Sequence, residues 1–344
     1  MKKYFLFAAA ISLGLAGCDN KPATNLPEKQ EVAISTDKFE KAKVEVKLVR
    51  LEDEMFQFKT TEDVSAFLKR HPRFVKEYLE IPNAANEKPF LDQMLAMYTN
   101  PNLKNFYLEN KKFYGDFSDL KTEMNELFSY VRYYYPDYYV PEVNTLVTGF
   151  RFDRDFSFSD SLIVVGIDYF LGKKASYRPQ FYDYMLSRYE KPYMVPMMGL
   201  AISSKYNEYE PKDETMLSEM IHYGKAHYFL ERVLPGLPDS LNIQFTAQEM
   251  IEVDQNANVI WGHFIEKKLL FDTNHKTKQR YLGESPKVVA IGDNCPGRIG
   301  RWLGWQIVRK YMKENPGVTL QQLMKDKNAQ EIFKKSKFKI NTAS

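Results

Sequence analysis

Cysteine is almost missing from this 344-residue sequence: Cys18 and Cys295 are the two present. So few thiols exclude a disulfide-stapled scaffold. A charge excess of one sign is missing too. Lys and Arg number 48 against 45 Asp and Glu, and setting aside Lys2 and Lys3, which fall in a removable leader, leaves a net of +1. No long-range field follows, and no nucleic-acid partner is expected. No apolar run reaches the roughly 20 residues a membrane-spanning helix needs, which excludes a polytopic membrane protein. Histidine is limited to His71, His222, His227, His263 and His275. The H-E-x-x-H zinc motif, the phosphate-binding loop and the dinucleotide fingerprint are absent, and Gly283-Glu284-Ser285-Pro286-Lys287 lacks the last glycine of a nucleophile elbow. Nothing here calls for a cofactor, and the motif inventory leans away from an enzyme. Between residues 44 and 340 there is no internal repeat, low-complexity block or Pro/Gly-rich linker.

What is present in excess is aromatic: 23 Tyr, 24 Phe and 3 Trp, within a chain that is 44% apolar and 27% charged. The N-terminus, MKKYFLFAAAISLGLAGC, combines a basic start, a short apolar run and small residues, the pattern of a secretory signal peptide. Leu15-Ala16-Gly17-Cys18 resembles the bacterial lipoprotein cleavage box. That resemblance implies a signal peptide at 1–17 and acylation of Cys18, whose several acyl chains would hold the protein stably on a membrane. The polar stretch to residue 43, with Pro22 and Pro27, reads as a flexible tether. Residues 44–340 read as one globular domain.

Val44, Val46 and Leu48 alternate with charged residues as in a half-buried strand. A second β-rich region follows, with Leu146, Thr148, Phe150 and Phe152 alternating and Ser161–Ile167 forming a continuous apolar run. Helical spacing is expected from Val64 with a break at Pro72, and over 89–98, 101–111, 118–134, 179–188, 192–206, 213–233, 246–270, 298–313 and 319–335. Thr246-x-x-Glu249 is a capping box for one of these. The expected fold is α+β: a predominantly helical single domain carrying a small sheet.

Two segments are candidates for chemistry. Glu219, His222 and His227 are metal-ligating types on one helix, but histidines five residues apart sit roughly 140° apart around it and do not chelate one ion. His227 falls in the apolar stripe of Met216, Met220, Tyr223 and Leu230, where a core histidine is the ordinary explanation. A reversed His263-x-x-Glu266 pair invites a carboxylate-bridged metal pair with Glu219-x-x-His222, yet its helix faces the core through Met250, Val253, Ile260 and Phe264 instead. No metal site is assigned. The other segment is Pro296-Gly297-Arg298-Ile299-Gly300-Arg301-Trp302-Leu303-Gly304-Trp305. Two glycines one turn apart in a helix point to tight packing, while Arg298, Arg301, Trp302 and Trp305 are a candidate partner surface.

The lipobox together with residues 167–189, 219–236, the Trp261 helix and PGRIGRWLGWQIVRKYM at 296–312 resembles the gliding motility lipoprotein GldB family of Bacteroidota. The likeness covers nearly the whole mature chain. It implies a lipid-anchored envelope protein, with the outer membrane favoured over the inner, working with protein partners of a surface-motility or secretion machinery. The family in turn resembles secreted zinc metallopeptidase domains, which implies a degenerate zincin-like core. On that likeness His222 stands first in the metal helix, Tyr223 replaces the general-base Glu and Ala226 replaces the second ligand. The reading is a non-catalytic binding or accessory component, a pseudo-peptidase; the alternative is a divergent zinc-dependent peptidase or other envelope hydrolase.

Overall fold

The computed structural model describes residues 26–30, 33–151 and 154–340. The signal segment, Cys18 and Phe152 lie outside them. The apolar run at 161–167 becomes strand β4 (Leu162–Gly166), buried along its whole length at an inner position of a four-stranded sheet. Its neighbours are β2 (Glu142–Leu146), which runs parallel to it, and the short antiparallel strand β3 (Phe156–Phe158), which carried no clear sequence signal. Strand β1 (Leu48–Arg50) pairs parallel with β2 at the other edge. A continuous apolar strand covered on both faces is what a parallel sheet flanked by helices requires.

Two strand expectations shift for identifiable reasons. The alternation at Val44–Leu48 is real in that Val46 is buried. However, the Val44 N–H donates to Ser129 Oγ (3.0 Å) and the Val46 N–H to Asn125 Oδ1 (2.8 Å), so side chains of the Ser118–Tyr134 helix take the place of a strand partner. Ladder pairing begins only at Leu48. At the end of β2, Asp168 accepts from the Thr148 N–H (3.0 Å), the Thr148 hydroxyl (2.9 Å) and the Gly149 N–H (2.8 Å). The chain turns there, with Gly149 and Phe150 both at positive φ, and the expected alternation past Leu146 ends.

Helices fill the remainder, many near their expected places: Lys88–Tyr98, Pro101–Tyr114, Ser118–Tyr134, Met194–Ser203, Met216–Val233 and Ile299–Glu314. The Thr246–Glu249 capping box forms with both of its hydrogen bonds. The helix it opens is not continuous to 270. It stops at Gln255, because the Asn256 side chain takes the Glu252 carbonyl (2.8 Å), and a second helix runs Ala257–Glu266. Only Asp183–Leu186 is helical in the expected 179–188 segment.

The region expected to be a tether also holds structure. A helix at Thr36–Ala42 lies on the Ser118–Tyr134 helix, with Phe39 and Tyr130 ring centroids 4.6 Å apart. Before it, Lys29 Nζ donates to the Leu237 carbonyl (3.0 Å) and Arg232 Nη1 to the Gln30 carbonyl (2.9 Å). The body therefore begins ahead of residue 44.

Candidate functional site

The centre of the molecule is a crossing of two helices, Met216–Val233 and Ile299–Glu314. They touch backbone to backbone. A Cβ on Gly304 would lie 1.9 Å from the Met220 carbonyl oxygen, and one on Gly224 would lie 2.4 Å from the Gly304 carbonyl oxygen. This contact gives Gly304 its packing role, Gly300 packs instead on Leu282 and the Tyr281 carbonyl, and the burial of both tryptophans runs against the partner surface placed on them. Trp302 and Trp305 are both 0% exposed. The stripe of Ile299, Leu303, Ile307 and Tyr311 marks one covered face, but the face carrying Trp302 and Trp305 is under cover as well. Trp305 Nε1 donates to Glu231 Oε2 (3.2 Å), which also accepts from Arg309 Nε (2.7 Å). Arg309 completes its fork on Asp239 at 2.7 and 2.8 Å, so a buried Glu is paired rather than stranded.

His227 belongs to this core. Its Nδ1 lies 3.0 Å from Asn242 Oδ1, and Asn242 Nδ2 returns a hydrogen bond to the His227 carbonyl (3.0 Å). An amide oxygen only accepts, so Nδ1 carries the proton in the neutral ring. Burial, opposed by the Asn242 contact, pushes its pKa down to about 3. His222 points elsewhere. It lines an open cleft of about 350 Å³ with Glu219, Tyr223, Tyr209 and Lys278. Its ring stands edge-on to Tyr209 at 5.1 Å, its buried Nδ1 has no hydrogen-bond partner, and burial followed by the Lys225 charge lowers its pKa. Glu219 is engaged by Lys278 Nζ at 2.6 Å. The two histidines thus face different surroundings, as their spacing implied. His263 meets the Tyr281 hydroxyl (2.8 Å) and Glu266 pairs with Lys267 (3.2 Å), so neither forms a bridge to the other pair.

Arg298 and Arg301 sit at the start of the crossing helix. Arg298 is buried, and the Arg301 guanidinium lies over the Tyr223 ring, 4.3 Å from its centroid, at the edge of the cleft. Sequence reasoning missed Lys278, Arg188 and Glu284, which join this region from other segments. The only pointer to Glu284 was the failed nucleophile elbow around it. Of the many aromatic side chains, Tyr139, Tyr177, Phe181 and Tyr182 expose their rings, while Tyr135 stacks on Tyr206 at 3.7 Å and Tyr193 is buried. Cys295 is buried and free, and burial pushes its thiol up to about 12.

Among the described residues, no group of three or more His, Cys, Asp or Glu side chains is placed to hold a metal ion. A family model described as gliding motility protein GldB matches residues 32–340, taking in both crossing helices, the cleft and the sheet. The chain belongs to the GldB family. No curated protein and no solved structure matches it. GldB membership makes it a gliding-motility lipoprotein by family, and no helix among the described residues is long and apolar enough to cross a membrane.

Proposed function

We propose that this GldB-family protein is held on the envelope by acyl chains on Cys18, at the outer membrane, and acts there as a non-catalytic binding component of the surface-motility or secretion machinery. The observation that carries the reading is the open cleft at His222, where Glu219 is engaged by Lys278 and Tyr223 by Arg301. On the resemblance to zinc peptidase domains, Tyr223 and Ala226 would replace the general base and the second ligand, and Tyr223 lies under Arg301. His222 is left alone in an open cleft, with Glu219 tied to Lys278. An open cleft with one histidine and no chelating pair beside it favours recognition over hydrolysis.

Elemental analysis of protein purified without chelators tests this. The expected result is no stoichiometric zinc, unchanged in His222→Ala. Zinc at one equivalent that is lost in His222→Ala or His227→Ala would replace the binding reading with the divergent hydrolase.

A further inference from the structure

The start of the Ile299–Glu314 helix is arranged against the usual electrostatics. A helix N-terminus carries roughly half a positive charge and favours acidic residues in its first turn. Here the first turn has no acid and the N-cap residue makes no side-chain cap; that residue is Arg298, and Arg301 lies in the first turn. Arg188 reaches the same place from the loop after Asp183–Leu186. One carboxylate serves all three. Glu284 accepts from Arg188 Nη1 (3.2 Å) and Nη2 (2.7 Å), while Arg298 Nε and Arg301 Nη1 each stand 3.7 Å from it. The cluster holds three guanidiniums against one carboxylate, and burial followed by the Arg188 charge lowers the Arg298 pKa to about 9. Glu249 attracts Arg298 only through space.

The cluster is built, and its building has costs. Gln244 Oε1 accepts from both Arg188 and Arg298 at 3.4 Å, and its carbonyl takes Arg298 Nη2 at 2.9 Å. Gln244 and Arg298 both hold positive φ, at 60° and 59°, a conformation that is uncommon without glycine and that concentrates at functional sites. Gly297 lets the Ser285 backbone lie against the helix start, where a Cβ would meet its carbonyl. Two buried polar atoms here, Arg188 Nε and Ser285 Oγ, have no hydrogen-bond partner. The cluster also reaches solvent, since the Glu284 side chain is 35% exposed. Through Arg301 over Tyr223 it adjoins the His222 cleft.

We propose that Arg188, Arg298 and Arg301 form the receptor for an oxyanion group, carboxylate or phosphate, of a ligand whose remainder lies in the His222–Tyr223 cleft, with Glu284 as the built-in carboxylate that orders the arginines and gives way to the ligand's. The inference deepens the binding reading above by naming the chemistry of what is bound. Forked guanidiniums suit both oxyanions, and a surplus of two positive charges attracts either.

Calorimetric titration of the full mature protein in detergent tests it, with inorganic phosphate, a blocked tripeptide bearing a free C-terminal carboxylate, and the amide of that tripeptide as probes. Saturable binding of phosphate or of the peptide acid, but not of the amide, is expected, and which probe binds identifies the source of the oxyanion. Glu284→Gln removes the competing carboxylate from an exposed position and is expected to tighten binding about tenfold, with a larger probe-induced rise in melting temperature. Arg301→Gln is expected to weaken binding at least tenfold. No binding to wild type or to Glu284→Gln would overturn the proposal, as would affinity indifferent to Arg301→Gln in a variant that melts cooperatively. Zinc content or cleavage of the tripeptide would remove the non-catalytic reading while leaving the oxyanion receptor standing; a metal-free protein that binds no probe removes the receptor alone.

Discussion

Gly304 shows how a single missing Cβ positions everything around it. In an ordinary exposed helix, Gly→Ala gains about 1 kcal/mol of helix propensity. At Gly304 the new methyl group would sit 1.9 Å from the Met220 carbonyl oxygen, on a backbone that has nowhere to go. Forcing the helices apart costs about 3 kcal/mol or more, so the clash wins. Gly304→Ala is expected to lower stability by at least 2 kcal/mol net in urea melts, and to disturb the cleft on the neighbouring helix. His227 gives a different signature. Its folded pKa is about 3, against 6.5 in the unfolded chain, so the folded state refuses a proton that the unfolded state accepts. Its contribution is fully present above pH 6.5 and is lost as pH falls toward 3. The slope is at most about 1.4 kcal/mol per pH unit, and His227→Gln should flatten the stability profile between pH 4.5 and 6.5 relative to wild type. An equal slope in both proteins would count against this account of the buried ring.

Among the elements, the helices were the most legible part of the sequence, because an amphipathic period and a cap are local properties. The Thr246 box is the clearest instance: the Thr246 hydroxyl accepts from the Glu249 N–H at 3.1 Å, and Glu249 Oε2 accepts from the Thr246 N–H at 2.8 Å. Thr246→Ala is expected to cost about 1 kcal/mol in denaturant melts, with the fold retained. At three of the misjudged elements, a side chain intervenes in the backbone's hydrogen bonding. Asn256 interrupts a helix whose apolar period runs straight through it, Ser129 and Asn125 occupy the donors that would have extended β1, and Asp168 ends β2. Each competitor lies close in space; all but Asn256 act from a distant part of the chain, which periodicity does not register.

For the molecule as a whole, the described body reaches to within eight residues of Cys18, since Leu26 already packs on the core. Eight residues extend to at most roughly 28 Å, so an acylated Cys18 would keep the N-terminal edge of the body, where Leu26 packs, close to the lipid surface. Radiolabelled palmitate is expected to enter the protein in cells and to be abolished by Cys18→Ser, with the variant recovered outside the membrane fraction. Label retained by the variant would place the anchor elsewhere. Several features were settled by the linear sequence: the near-neutral charge, the helix-rich composition, the missing zinc motif and the motifs that place the chain in the GldB family. Each depends on residue identity or on spacing within one segment. Only the tertiary structure decided that Trp302 and Trp305 are core and that Arg188, Glu284, Arg298 and Arg301 meet at one helix start. The physical reason is that a helix's apolar stripe reveals one face to be covered and is silent about the other. Here the fold buries that other face too, and it alone brings together charges from segments about a hundred residues apart.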